Sequence, residues 1–104
     1  MEQQQTQTAT KTLSPIPLFP LGQVVATPAV LTHLTVHGIS AREYLQRHQH
    51  GDWGDVPPED AVENEFATHN RLRILSSYKI AGERVWIITE ADRSATTFLF
   101  PSEY

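Results

Sequence analysis

Leu72-Arg73-Ile74-Leu75-Ser76-Ser77-Tyr78-Lys79-Ile80-Ala81-Gly82-Glu83-Arg84-Val85-Trp86-Ile87-Ile88-Thr89-Glu90 is the stretch on which the fold turns. From Leu72 the residues alternate: Leu72, Ile74, Ser76, Tyr78 and Ile80 point one way, and Arg73, Leu75, Ser77 and Lys79 the other. That is the period of a strand with one apolar face. Ala81-Gly82 supplies a two-residue hairpin turn. Arg84 to Glu90 is apolar on both sides, Val85 and Ile87 against Trp86 and Ile88, which places it in the interior of a sheet. After a polar turn at Ala91 to Ser94, a third strand runs from Ala95 to Phe100. It sets Thr96, Phe98 and Phe100 on one face and Thr97 and Leu99 on the other, and Pro101 closes it.

Upstream the apolar period lengthens to that of helices. Thr27-Pro28 pairs an N-cap hydroxyl with proline at the first helical position, and a helix to His37 follows, with Val30, Leu31 and Leu34 on one face and Gly38 as its stop. Ser40 and Glu43 have capping-box spacing, with Ile39 and Tyr44 as a hydrophobic staple, and this second helix sets Tyr44, Leu45 and His48 on one face before Gly51. Pro57-Pro58 opens a third helix with Glu59 and Asp60 in its first turn; Ala61, Val62 and Phe66 are expected to face inward, and the end falls near His69 and Asn70. Gln23 to Ala26 is a short candidate edge strand.

The expectation is an α+β fold: two to three N-terminal helices packed on one face of a C-terminal antiparallel meander of three to four strands, in a single domain over residues 15–104. Residues 1–14 are Gln/Thr-rich, without apolar periodicity, and read as a disordered tail.

The chain has 104 residues, a formal net charge of −4 and no cysteine. One modest core fits that length. Disulfides, thiolate metal sites and cysteine nucleophiles are excluded, and the composition fits a reducing cytoplasm. No apolar run is long enough to span a bilayer. Charge is unevenly distributed: residues 39–70 carry two basic and seven acidic side chains, a net of −5, while residues 71–104 carry five basic and four acidic, a net of +1. No basic stripe for a nucleic-acid backbone exists; a polyanion would have to use the sheet.

His33 and His37 share a helix face at metal-chelating spacing, but the glutamate of H-E-x-x-H is missing and Thr32, Leu34, Thr35 and Val36 supply no further ligand. They read as surface histidines, and neither metal nor cofactor is expected. His48, His50, Asp52 and Asp55 flank a glycine loop, yet His48 and His50 point to different sides of any helix. The plainer reading is a helix-ending loop with Trp53 docked on the core; Trp53, Asp52 and Asp55 are its candidate binding residues.

The polar turn between the last two strands carries the sharper chemistry. Glu90 as general base, Arg93 stabilising developing charge, Thr97 orienting a phosphate and His48 as acid would together suit metal-independent RNA cleavage through the 2′-OH. Against this, Asp92, Arg93 and Ser94 make an ordinary polar hairpin tip, and threonines are common at strand edges. Ser76-Ser77-Tyr78 lacks the glycines of a nucleophile elbow, and no Walker loop or dinucleotide fingerprint occurs.

Several segments together resemble a family of small proteins carried on plasmids and integrative elements of proteobacteria, often labelled plasmid-related protein. They are Leu18-Phe19-Pro20-Leu21-Gly22, Arg47-His48-Gln49, Gly51-Asp52-Trp53-Gly54-Asp55, Ile74-Leu75-Ser76-Ser77-Tyr78, Val85 to Ser94 and Pro101-Ser102-Glu103-Tyr104. Members are also labelled restriction-enzyme modification subunits, a label that does not suit a chain too short for a methyltransferase cofactor domain. The resemblance implies a mobile-element setting and no particular activity. More remotely, helices followed by a meander, Arg47-His48 and a final threonine strand are similar to the RelE and barnase-like ribonucleases, whose sheet faces carry basic, acidic and histidine residues; the acidic, lysine-poor composition departs from that pattern.

Three functions are therefore expected in order: an accessory protein of a mobile genetic element acting by protein–protein binding, a metal-independent endoribonuclease, and an acidic DNA mimic, for which −4 is a modest charge.

Overall fold

The computed structural model describes residues 13–104. The expected tail lies outside that range except for Leu13 and Ser14, and the Ser14 N–H donates to the His50 carbonyl at 3.0 Å.

Strand β1 (Gln23–Ala26) is followed by helices α1 (Pro28–Val36), α2 (Ala41–Gln49) and α3 (Pro58–Asn70), then by strands β2 (Ile74–Ile80), β3 (Glu83–Thr89) and β4 (Ala95–Leu99), and a 3-10 turn at Pro101–Glu103. The α+β class holds, and all three helices precede the meander. The sheet order is β1-β4-β3-β2. The fully antiparallel sheet is corrected: β2, β3 and β4 form the antiparallel meander, but β1 pairs parallel to β4, Gln23 opposite Ala95 and Ala26 opposite Phe98. Strands β1 and β2 therefore run in the same direction at opposite edges. No hairpin can make that connection, so the helices serve as the crossover.

Local chemistry explains the boundaries. Thr27 is extended and its hydroxyl accepts from the Val30 N–H, with Pro28 next in line. Ser40 caps α2, but it accepts from the Arg42 N–H at 3.2 Å, one residue short of the bond expected of a capping box. Helix α3 begins at proline and ends at Arg71 in the left-handed region, φ 52° and ψ 50°. The β2–β3 turn has positive φ at both Ala81 and Gly82, the mirror-image turn whose twist matches its strands.

The helix-side face of the sheet holds two apolar clusters. Val30 and Leu34 of α1 pack with Tyr78, Ile80, Val85, Ile87 and Phe98, bordered by Tyr44 and Leu45 of α2. Phe19, Trp53, Ala67 and Ile74 form the second, roofed by Leu18 and Leu21 of the proline-rich segment. Trp53 docks on the core as the sequence implies.

Several expected core positions are not core. Leu31 is exposed on α1, and Leu72 precedes β2 and is exposed. Helix α3 is rotated from its expected setting: Val62 and Phe66 face solvent at 68% and 56% exposure, whereas Asn64 and Ala67 are buried. The reason is the β2 edge. Asn64 bonds the backbone of Leu75 twice, Nδ2 donating to its carbonyl at 2.8 Å and Oδ1 accepting from its N–H at 3.2 Å, as a neighbouring strand would. Satisfying a buried strand edge outweighs burying two apolar side chains.

Two residues farther along, Ser77 donates to the Trp53 carbonyl and accepts from the Asp55 N–H. Gly54, between them, has φ +73°, and a Cβ there would lie 2.1 Å from the Ser77 carbonyl oxygen and 2.7 Å from the Tyr78 ring. Gly54→Ala is expected to cost about 2 kcal/mol through overpacking and the left-handed backbone. Urea unfolding checks this; wild-type stability would show that the loop swings away freely.

Candidate functional site

The four residues grouped around RNA chemistry go to three different places. His48 is fully buried beneath the helices, its ring edge-on to Phe19 and Trp53. Its Nδ1 lies 2.5 Å from the Ser76 hydroxyl and its Nε2 2.9 Å from that of Thr89; Thr89 lies 2.7 Å from Thr96, which donates to the Leu21 carbonyl.

The direction of this chain follows from its end. A carbonyl only accepts, so the Thr96 proton points at Leu21 and Thr96 accepts from Thr89. Thr89, its proton committed, accepts from His48, whose proton is therefore on Nε2. Nδ1 then accepts from Ser76. Every donor has one acceptor and the imidazole is neutral; burial pushes its pKa down to about 3. Both ring nitrogens are engaged and the ring is fully buried, so in this arrangement His48 presents no proton to the surface. Ser76 is equally buried, its hydroxyl engaged by His48.

Arg93 is also buried, at 8% exposure. Its turn backbone is left-handed, φ 63°, which folds the side chain back beneath the hairpin. One terminal nitrogen donates to the carbonyls of Leu72, Glu90 and Ala91, and the other to that of Ala67 at 2.6 Å. The guanidinium also lies 5.6 Å over the Phe19 ring. Burial, and then Arg71, lower its pKa, yet a guanidinium stays charged. Arg93 thus staples the last turn of α3, the α3–β2 link and the β3–β4 turn, and Ala67 belongs to the helix end where positive charge is favoured.

The loop residues are likewise committed. Trp53 is 1% exposed and offers packing rather than a contact surface. Asp52 is paired with Arg47 at 2.6 Å and accepts from the Gly54 N–H. The Tyr78 phenol, its pKa raised by burial, donates to the Asp52 carbonyl, and Arg47 lies 4.6 Å over its ring. Asp55 is exposed, 3.4 Å from Arg84. Among the described residues no group of three or more His, Asp or Glu is placed to hold a metal ion, and no helix is long and apolar enough to cross a membrane.

The other face of the sheet carries no helix, although Ser77, Ile88 and Leu99 on it are buried and Leu75, Trp86 and Thr97 are half-buried. Sheet residues in the two clusters alternate with Leu75, Ser77, Lys79, Arg84, Trp86, Ile88, Thr97 and Leu99, so all three helices lie on one side. Thr97 is on this opposite face, and Glu90, exposed one residue beyond β3, keeps the parity of Trp86 and Ile88. Arg93 and His48 are not with them. Arg73 lies on this face, its guanidinium 5.2 Å over the Tyr104 ring. Tyr104 in turn meets Trp86 edge-on, ring centroids 5.7 Å apart. Lys79 and Arg84 add positive charge, and one Arg84 nitrogen donates to Ser77.

Sequence reading missed Arg73, Trp86 and Tyr104 as a group because Tyr104 arrives only by the turn at Pro101–Glu103. There Glu103 accepts from the Phe100 N–H and the Thr27 hydroxyl. A usable signal was present: Trp86 on the outward parity of an interior strand. No family model, curated protein or solved structure matches the chain.

Proposed function

We propose that the protein is a non-catalytic binding module whose contact surface is the helix-free sheet face, and that its partner is a protein with an acidic rim. The observation that carries this is the Arg73–Tyr104–Trp86 stack on the face that carries no helix, with Arg73 and Tyr104 exposed and Trp86 half-buried between them and the sheet. Trp, Tyr and Arg are the side chains that dominate binding hot spots. Lys79 adds an exposed positive charge to that of Arg73 and favours an acidic counterpart, while Arg84 is paired with Asp55. A nucleic acid is the poorer occupant: three cations make a short footprint on a chain of net charge −4. With the resemblance to plasmid-borne proteins, the reading becomes an accessory protein of a mobile genetic element that works by engaging another protein.

The ribonuclease reading loses two of its four groups to burial and keeps Glu90 and Thr97 on the sheet face. The test separates the two. A partner captured by the full-length protein from a bacterial lysate is purified and titrated against wild type, Arg73→Glu, Trp86→Ala and, as a control on α3, Val62→Asp. Arg73→Glu and Trp86→Ala are expected to weaken binding at least tenfold, and Val62→Asp to leave it unchanged. A partner bound equally by all four, or RNA cleavage by wild type that Arg73→Ala abolishes, would overturn the proposal.

A further inference from the structure

A groove lies between α1, the start of β3 and the C-terminal 3-10 turn, bordering the helix-free face at Arg84. It has a volume of about 710 Å³, and His33, His37, Arg84, Phe100 and Ser102 are among its lining residues. The two histidine rings are neighbours, centroids 4.5 Å apart, His33 in the last turn of α1 and His37 at its C-cap.

Each ring has one nitrogen on a backbone carbonyl. His33 Nε2 lies 2.8 Å from the Ile80 oxygen and His37 Nδ1 lies 2.9 Å from the His33 oxygen. A carbonyl accepts only, so these nitrogens carry the protons. The free lone pairs are then on His33 Nδ1 and His37 Nε2. Phe100 meets the His33 ring at 5.7 Å, nearly perpendicular, and restricts its rotation. Histidines that ligate metals almost always hold their second nitrogen on a carbonyl or carboxylate, which fixes the tautomer and raises the basicity of the ligating atom. Both rings already have that arrangement.

The geometry points to a two-histidine site for a divalent transition metal, bound through His33 Nδ1 and His37 Nε2, with its remaining positions open to water or an anionic ligand in the groove. Imidazole nitrogens select copper, nickel, cobalt and zinc over magnesium and calcium. No third protein ligand of the usual types converges among the described residues, so the metal stays exchangeable and open-sided. Arg84 and Ser102, on the same groove wall, offer hydrogen-bond donors to an anion that completes the coordination.

The test is isothermal titration of CuCl2, NiCl2, ZnCl2 and MgCl2 into full-length protein carrying no affinity tag. One Cu2+ per chain is expected, then weaker Ni2+, with no saturable Mg2+ binding. Copper(II) electron paramagnetic resonance is expected to show two equatorial nitrogens. His37 is exposed, so His37→Ala keeps the fold and is expected to weaken Cu2+ binding at least tenfold. His33→Ala is expected to do the same, with circular dichroism reporting on the turn it supports. His50 makes the same contact with its own helix, Nδ1 to the Gln46 carbonyl, but has no imidazole one turn away. His50→Ala and His69→Ala are therefore expected to bind as wild type does. Absence of saturable binding, binding that survives His37→Ala, or equal loss in His69→Ala would overturn the site.

Discussion

Arg93→Ala is expected to destabilise the protein by about 4 kcal/mol, measured as the urea unfolding free energy at neutral pH. The truncation removes charge-assisted hydrogen bonds to four carbonyls in three segments, each bond to a charged group being worth about 1.5–3 kcal/mol before non-additivity. It also withdraws the positive charge from the end of α3 and opens space against Phe19. Arg93→Lys is expected to recover less than half of the loss, because an ammonium cannot reproduce a planar fork that serves carbonyls on several sides. A stable Arg93→Ala protein that had merely lost RNA cleavage would return this residue to a catalytic role.

The second large effect is acid sensitivity centred on His48. In the folded chain its pKa is pushed down to about 3, whereas an unfolded histidine titrates near about 6.5. The unfolded state therefore takes up the proton first. The contribution is fully present above about pH 6.5 and is lost progressively as pH falls towards 3, at up to about 1.4 kcal/mol per unit. By pH 4.5 the loss amounts to about 3 kcal/mol. His48→Gln is expected to be less stable at pH 7.5, since no amide reproduces both ring contacts, and to show a correspondingly flatter acid limb. Carboxylate titration is common to both proteins and cancels in the difference. Parallel pH profiles would refute the assignment.

These two residues show where reading the sequence succeeds and where it stops. Strand parity was legible: Ile74, Ser76, Tyr78 and Ile80 are buried together, and β3 is interior with both faces apolar. So was the setting of α2, which directs His48 inward. The sequence thus placed polar groups at inward positions on two facing elements, and the hydrogen-bonded chain between them is the physical resolution. Arg93 was legible as a turn residue but not as a buried one, because its direction depends on a left-handed backbone that favours no arginine in particular. The setting of α3 failed for a related reason. Val62 and Phe66 outweigh Asn64 and Ala67 in hydrophobicity, but the demand from the β2 backbone is invisible until the strand's neighbours are known. Direction of pairing is similar: four residues of β1 carry nothing that distinguishes a parallel from an antiparallel partner, and the intervening helices decide it.

The seal along β2 also limits how copies of this chain could polymerise. Cross-β growth needs two adhesive edges per subunit, one to receive and one to offer. Here Asn64 and the Trp53–Asp55 loop occupy one of them, leaving β1, only four residues long, as the other. Two molecules joined through β1 would present sealed strands at both outer margins, so edge-to-edge addition would end at a pair instead of propagating into a fibril.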